Sequence, residues 1–209
     1  MIEIRETEIY ALWFSRLRDR QAKARIDTRI RRLSLGNPGD VKSVGSGVSE
    51  LRINYGPGYR IYFIQIESTL IVLLVGGDKR TQQQDIAQAI ELARDLQEGN
   101  MAKTQTQPWD AANHLETKED MAAYLEAALE DGDLALITAT LGDIARSKGM
   151  TQISRDTGLG RESLYKALSI EGNPEFATIL KVFQALGLRL HVTTIASESF
   201  VQETGKNRV

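Results

Sequence analysis

The 209-residue sequence has no cysteine. This excludes disulfides, thiolate metal sites and a cysteine nucleophile. Its two histidines, His114 and His191, both lie beyond residue 100, so chemistry in the first hundred residues lacks the commonest general base. No stretch approaches the roughly 18 apolar residues that mark a membrane-spanning helix, and the most apolar run, TLIVLLVGG, is of strand length. The opening MIEIRETEIY lacks the basic-then-apolar layout of a signal peptide. A soluble, cytoplasmic protein is expected, with no cofactor and no metal. The apolar share of 42% and charged share of 26% are those of globular chains and argue against wholesale disorder.

The net charge of −2 conceals an asymmetry. Residues 1–80 carry 14 basic and 9 acidic side chains, whereas residues 110–143 carry 1 basic and 9 acidic. Two stretches of opposite sign on one chain attract one another, unless both are simply solvated faces.

The periodicity divides the chain near residue 100. In the first part Ile2 and Ile4 alternate as a strand. Tyr10, Trp13, Phe14 and Leu17 share one helical face; Ala22, Ile26, Ile30 and Leu33 share another, whose outer side is Arg25, Arg29, Arg31 and Arg32. Runs 51–55, 60–66 and 70–75 read as consecutive antiparallel strands, and Ile86, Ile90, Ala93 and Leu96 as a closing helix. The second part reads as helices, with a short terminal strand from the alternation of Leu188, Leu190 and Val192. The expectation is an α+β protein: a helical hairpin with a small antiparallel sheet over 1–98, a linker over 99–108, an all-α domain over 109–196 and a polar tail over 197–209. A ten-residue coil spans about 18 Å.

The most specific motif is TQISRDTGLGRESLYKALS, Thr151 to Ser169. Ile153, Leu164 and Leu168 face inward, and Gly158 falls where two helices must turn sharply. This is a helix-turn-helix layout, whose second helix enters the DNA major groove. It presents Arg161, Glu162, Ser163 and Lys166 towards bases, Tyr165 towards the backbone, and Gln152 and Arg155 towards phosphates. An ordinary helical hairpin with a glycine turn accounts for the same pattern. GLGRESLYKALSIEGNPEFATILKVFQALGLRLHV, with the helix pair around Tyr124 to Ala128, resembles the Cro/repressor-type helix-turn-helix antidote proteins of addiction modules, of the HigA-like kind, over about residues 108–196. The resemblance implies a dimeric autorepressor that also binds a toxin.

In the first part Arg52, Tyr55, Tyr59, Arg60, Tyr62, Lys79 and Arg80 cluster in sequence around strand ends. Arg60 and Tyr62 share one strand face. Arginine beside tyrosine suits RNA, gripping phosphate and stacking on unpaired bases. Such a set needs no metal to cleave RNA: the 2′-OH is the nucleophile, and Arg60 with Lys79 or Arg80 would stabilise the charged phosphorane. A solvated strand face edged by tyrosines gives the same pattern. ELRINYGPGYRIYF and LIVLLVGGDKRTQQQDIAQAIELA resemble the RelE/ParE-superfamily addiction-module killer proteins of the HigB-like branch, over residues 1–97. The resemblance implies a toxin that cuts mRNA on the ribosome. Arg60 would contact the scissile phosphate, and Arg52, Lys79 and Arg80 would hold neighbouring phosphates.

Together these features lead to the expectation of a toxin–antitoxin pair on one chain, joined at Asn100/Met101. The rival expectation is a non-catalytic DNA-binding regulator whose first half is an inert interaction module. Cis docking within one chain and a swapped dimer are both open.

Overall fold

The apolar runs of the first half stack into a sheet sandwiched between helices. The computed structural model describes residues 2–98, 104–169 and 171–192. The first half contains β1 (Glu3–Thr7), α1 (Glu8–Arg16), α2 (Arg20–Ser34), β2 (Val41–Gly45), β3 (Val48–Ile53), β4 (Tyr59–Ile66), β5 (Leu70–Asp78) and α3 (Gln82–Gln97). Thr7 and Asp19 cap α1 and α2 through their side-chain oxygens, which accept from the backbone N–H of Tyr10 and Ala22. The second half contains β6 (Thr106–Pro108), a 3-10 turn (Ala111–His114), α4 (Lys118–Asp131), α5 (Leu134–Lys148), α6 (Met150–Thr157), α7 (Arg161–Ala167) and α8 (Phe176–Leu186).

The class is α+β, as expected, but the sheet is mixed rather than antiparallel. Its order is β2-β3-β4-β5-β1-β6, and β1 runs parallel to β5. A parallel neighbour requires a crossover connection, here the whole of α1 through β4. Two further expectations change. The end of the supposed linker is strand: Thr106–Pro108 pairs antiparallel with β1, with Glu6 opposite Gln107. Leu188 to Val192 forms no strand among the described residues, where no neighbouring strand pairs with it. The Asn100/Met101 junction and the polar tail lie outside the described residues.

One sheet face packs Ile61, Phe63, Ile71 and Leu73 against α1 and α2; the other packs Val48, Tyr62, Ile64, Val72 and Leu74 against Ala89 and Ala93 of α3. The first of these cores runs on into the second half. Ile4, Phe14 and Ile30 belong to the same buried cluster as Trp109, Leu115, Tyr124, Ile144 and Leu186.

Candidate functional site and its docked partner

The sheet register assembles the candidate cationic residues. Arg52 lies directly across from Arg60, and Arg60 across from Gly77, so two guanidiniums share the α3 face at one end of the sheet. Lys79 and Arg80 follow immediately as the chain leaves β5. The backbone there is tightly drawn. A Cβ on Gly76 would collide with the Trp13 indole, and one on Gly77 with the Asp85 carboxylate, so neither glycine has room for a side chain. A Cβ on Gly58 would lie 3.6 Å from Arg60 Nη1 and 3.9 Å from Lys79 Cβ, which places this turn against both cations.

The four cations are not equally free. Arg52 is partly exposed, and its Nε donates to Glu50 Oε2 at 2.8 Å. The Arg60 side chain is 12% exposed; its Nη1 donates to the Tyr59 carbonyl at 2.9 Å. Arg80 is exposed but folded back on Asp78, donating to the carboxylate at 2.7 Å and lowering its pKa. Such an exposed pair is weakly held and can open. Lys79 is exposed.

The tyrosines divide. Tyr59 is partly exposed and meets Trp13 edge-to-face with ring centroids 6.3 Å apart, and Tyr55 is half-buried under the Arg25 guanidinium at 4.9 Å. Tyr62 is fully buried. The strand alternation correctly placed it on the face of Arg60, but α3 covers that face, so Tyr62 is no stacking platform for a base. Its hydroxyl instead donates to Glu50 Oε1 at 3.2 Å. Burial, and then the Glu50 carboxylate, push the Tyr62 pKa far up. Glu50 itself escaped the sequence reading. Its only signal there is a lone acid within the strand VSELRI.

In the second half Gly158 adopts the left-handed φ of +68° between α6 and α7, a conformation that favours glycine. Ile153, Leu164 and Leu168 are buried beneath the turn. Gln152, Arg155, Arg161, Glu162, Ser163, Tyr165 and Lys166 are all exposed. Gln152 donates to Asp156 at 2.7 Å.

The opposite charges meet between the halves. Arg20 pairs with Asp120 at 2.8 Å, Arg25 with Glu130 at 2.6 Å, Arg32 with Asp131 at 2.6 Å and Arg31 with Asp143 at 2.9 Å. Asp143 is nearly inaccessible and also accepts from Arg146 Nη2 at 2.7 Å and the Tyr124 hydroxyl at 3.1 Å. Arg5 reaches over β6 to Thr106, and Gln107 donates to Glu6 at 2.9 Å. No hydrogen bond or ion pair from residues 104–192 reaches Arg52, Arg60, Lys79 or Arg80 among the described residues.

A buried pair adds pH dependence. His114 Nδ1 lies 3.0 Å from Asp27, against the Phe14 ring and beside Glu6 and Lys23. Burial would lower the imidazole pKa, but the Asp27 carboxylate outweighs it and holds His114 above its ordinary 6.5. A cation stabilised by folding contributes fully below its unfolded pKa and is lost as pH rises through the folded value. Burial also pushes Asp27 and Glu6 up, with the same sign. Raising the pH above 6.5 is therefore expected to lower the thermal midpoint, and His114→Ala to flatten that slope. Calorimetry across the range checks this; equal slopes would contradict it.

Comparison with known proteins places both halves. Residues 13–98 match the family "Phage derived protein Gp49-like", and residues 105–194 match the family "Probable addiction module antidote protein". The chain belongs to the addiction-module proteins. It is a toxin–antitoxin module, with a Gp49-like half followed by an antidote half. Two uncharacterized proteins of Haemophilus influenzae are similar. One is 50% identical over 95 residues, 46% of this chain and 96% of the relative. The other is 49% identical over 88 residues, 42% of this chain and 91% of the relative. Each relative is thus a short protein matched almost throughout by under half of this chain. No solved structure matches. Among the described residues no helix is long and apolar enough to cross a membrane, and no group of three or more His, Asp or Glu side chains is placed to hold a metal ion.

Proposed function

We propose that the Gp49-like half is a HigB-like, metal-independent endoribonuclease that cuts mRNA on the ribosome, and that the HigA-like antidote half holds it inactive. The observation that supports this most is the convergence of Arg52, Arg60, Lys79 and Arg80 at one sheet end. Arg60 contacts the scissile phosphate, and the other three hold its neighbours. Tyr55 and Tyr59 border the RNA path. The RNA supplies its own 2′-OH nucleophile, so catalysis rests on orientation and on cations placed where charge develops. The antidote half docks on α2 and β1, away from this cluster. It neutralises by bulk, making the particle too large for the ribosomal site.

The antidote half also reads DNA. Helix α7 enters the major groove of an operator through Arg161, Glu162, Ser163 and Lys166; Tyr165, Gln152 and Arg155 take the backbone. It represses its own operon as a dimer. Both activities belong to the cytoplasm.

The test is mRNA cleavage in a translation extract. Residues 1–98 are expected to cut translated mRNA, addition of residues 101–209 to stop cutting, and Arg60→Ala to slow it by about a hundredfold or more, the usual loss for one preorganised charge donor. A folded first half that leaves mRNA intact would support an inert interaction module instead. Sequence-preferring binding of the full chain to its own upstream DNA tests the repressor role separately.

A further inference from the structure

Arg52 and Arg60 stand directly opposite on neighbouring antiparallel strands. Like charges in that position repel and normally splay apart. Here one fully buried carboxylate, Glu50, lies beside both. Arg52 Nε donates to Glu50 Oε2 at 2.8 Å, and Arg60 Nε lies 3.7 Å from Glu50 Oε1. The same Oε1 accepts from Gln82 Nε2 at 2.6 Å and from the Tyr62 hydroxyl at 3.2 Å. Burial alone would raise the Glu50 pKa; the hydrogen bonds from Arg52, Gln82 and Tyr62 outweigh it and keep the group ionised.

The geometry of the contacts matters more than their number. Glu50 hydrogen-bonds the Nε edge of Arg52 and lies at ion-pair distance from that of Arg60, whose Nε makes no hydrogen bond among the described residues. Arg60 is held besides by the Tyr59 carbonyl on Nη1, and Arg52 Nη1 lies 3.8 Å from Asp40 Oδ1. The Nη2 group of each arginine makes no hydrogen bond among the described residues. A guanidinium has five N–H donors in a rigid fork, so fixing its Nε edge fixes where the remaining donors point. We propose that Glu50 is a positioning residue, which holds Arg52 and Arg60 side by side as one clamp for a phosphodiester oxyanion. This rests on the reading of the cluster as an RNA-contacting site. Gln82 and Tyr62 set the carboxylate in turn, which ties the clamp to the first turn of α3 and to β4.

Positioning and simple charge predict opposite signs. Glu50→Gln removes a negative charge beside two cations, so if only charge mattered the chain would bind RNA more tightly. If Glu50 positions the clamp, binding weakens despite the gain in positive charge. The experiment is fluorescence anisotropy of a labelled single-stranded oligoribonucleotide with the full chain at low salt, with arginine Nε–H resonances recorded alongside. Glu50→Gln is expected to weaken binding about tenfold, the scale of one charge-assisted hydrogen bond. Glu50→Asp, which keeps the charge but not the reach, weakens it too, and in both variants the Arg52 and Arg60 Nε–H signals broaden. Gln82→Ala, at a half-buried helix position, keeps the test open should the Glu50 variants unfold, and weakens binding by a smaller factor. Tighter binding by Glu50→Gln, or unchanged binding by Gln82→Ala, overturns the inference while Arg60→Ala still weakens binding. No binding by the native chain, with Arg60→Ala indistinguishable from it, overturns the site reading and the inference together.

Discussion

Asp143→Ala is expected to destabilise the chain by about 3–5 kcal/mol, the usual cost of removing one partner from a buried ion network. Asp143 is 1% exposed and lies where the two halves meet. Arg31 of α2 reaches it at 2.9 Å, and Arg146 and Tyr124 reach it from within the second half. Truncation leaves cationic and hydroxyl groups without the carboxylate around which they are packed. The surface pairs of the same interface behave differently. Arg20–Asp120 is half-exposed, and breaking it costs about 1 kcal/mol or less. Urea unfolding of Asp143→Ala, Arg31→Ala and the double variant separates these cases. The cycle is expected to give a coupling of about 1–3 kcal/mol between Arg31 and Asp143. Additive losses would remove the network from its central place in docking.

Trp109→Ala is expected to cost a similar amount, about 3–5 kcal/mol, for a different reason. Trp109 is 8% exposed and packs in one cluster with Ile4, Ala111 and Leu115. Its backbone N–H donates to the Ile4 carbonyl at 3.0 Å, continuing the pairing of β6 on β1. The residue therefore anchors the short segment that adds a strand to the edge of the first half. Its indole nitrogen is buried with no hydrogen-bond partner among the described residues. Trp109→Phe removes that unsatisfied donor and keeps most of the apolar contact. It is expected to cost under about 1.5 kcal/mol. A Phe variant as unstable as the Ala variant would show that shape, rather than apolar burial, governs the site. Because the core crosses between the halves, both variants are expected to unfold in a single transition.

These two residues also show what a single sequence reveals. The charge attraction was legible as one of two readings, because blocks of opposite sign stand out in sequence whether they pair or are simply solvated. The helical character of the second half was legible, and at α8 the reason is plain: its apolar spacing is strong and Gly187 ends it. The recruitment of Thr106–Pro108 was not, because TQP carries no strand signal of its own and pairs only where β1 presents an open edge. The same dependence works in reverse at Leu188 to Val192, where alternation was present and a partner strand was missing. Strand β2 was overlooked because VKSVG is polar and largely exposed, and pairing with β3 alone defines it. Among the site residues, the cations could be named from sequence because charge at strand ends is conspicuous. The burial of Tyr62 and the role of Glu50 depend on α3 lying across that face, and strand periodicity does not report what covers it.

The central claim is that the first half harms the cell unless the second half is docked on it. It is tested most directly by producing residues 1–98 and 101–209 from separate promoters and then stopping synthesis of the second. Growth is expected to halt as the antidote half is lost, and to continue when the first half carries Arg60→Ala. Unimpaired growth, with the first half still soluble and folded in the cell, would contradict the account.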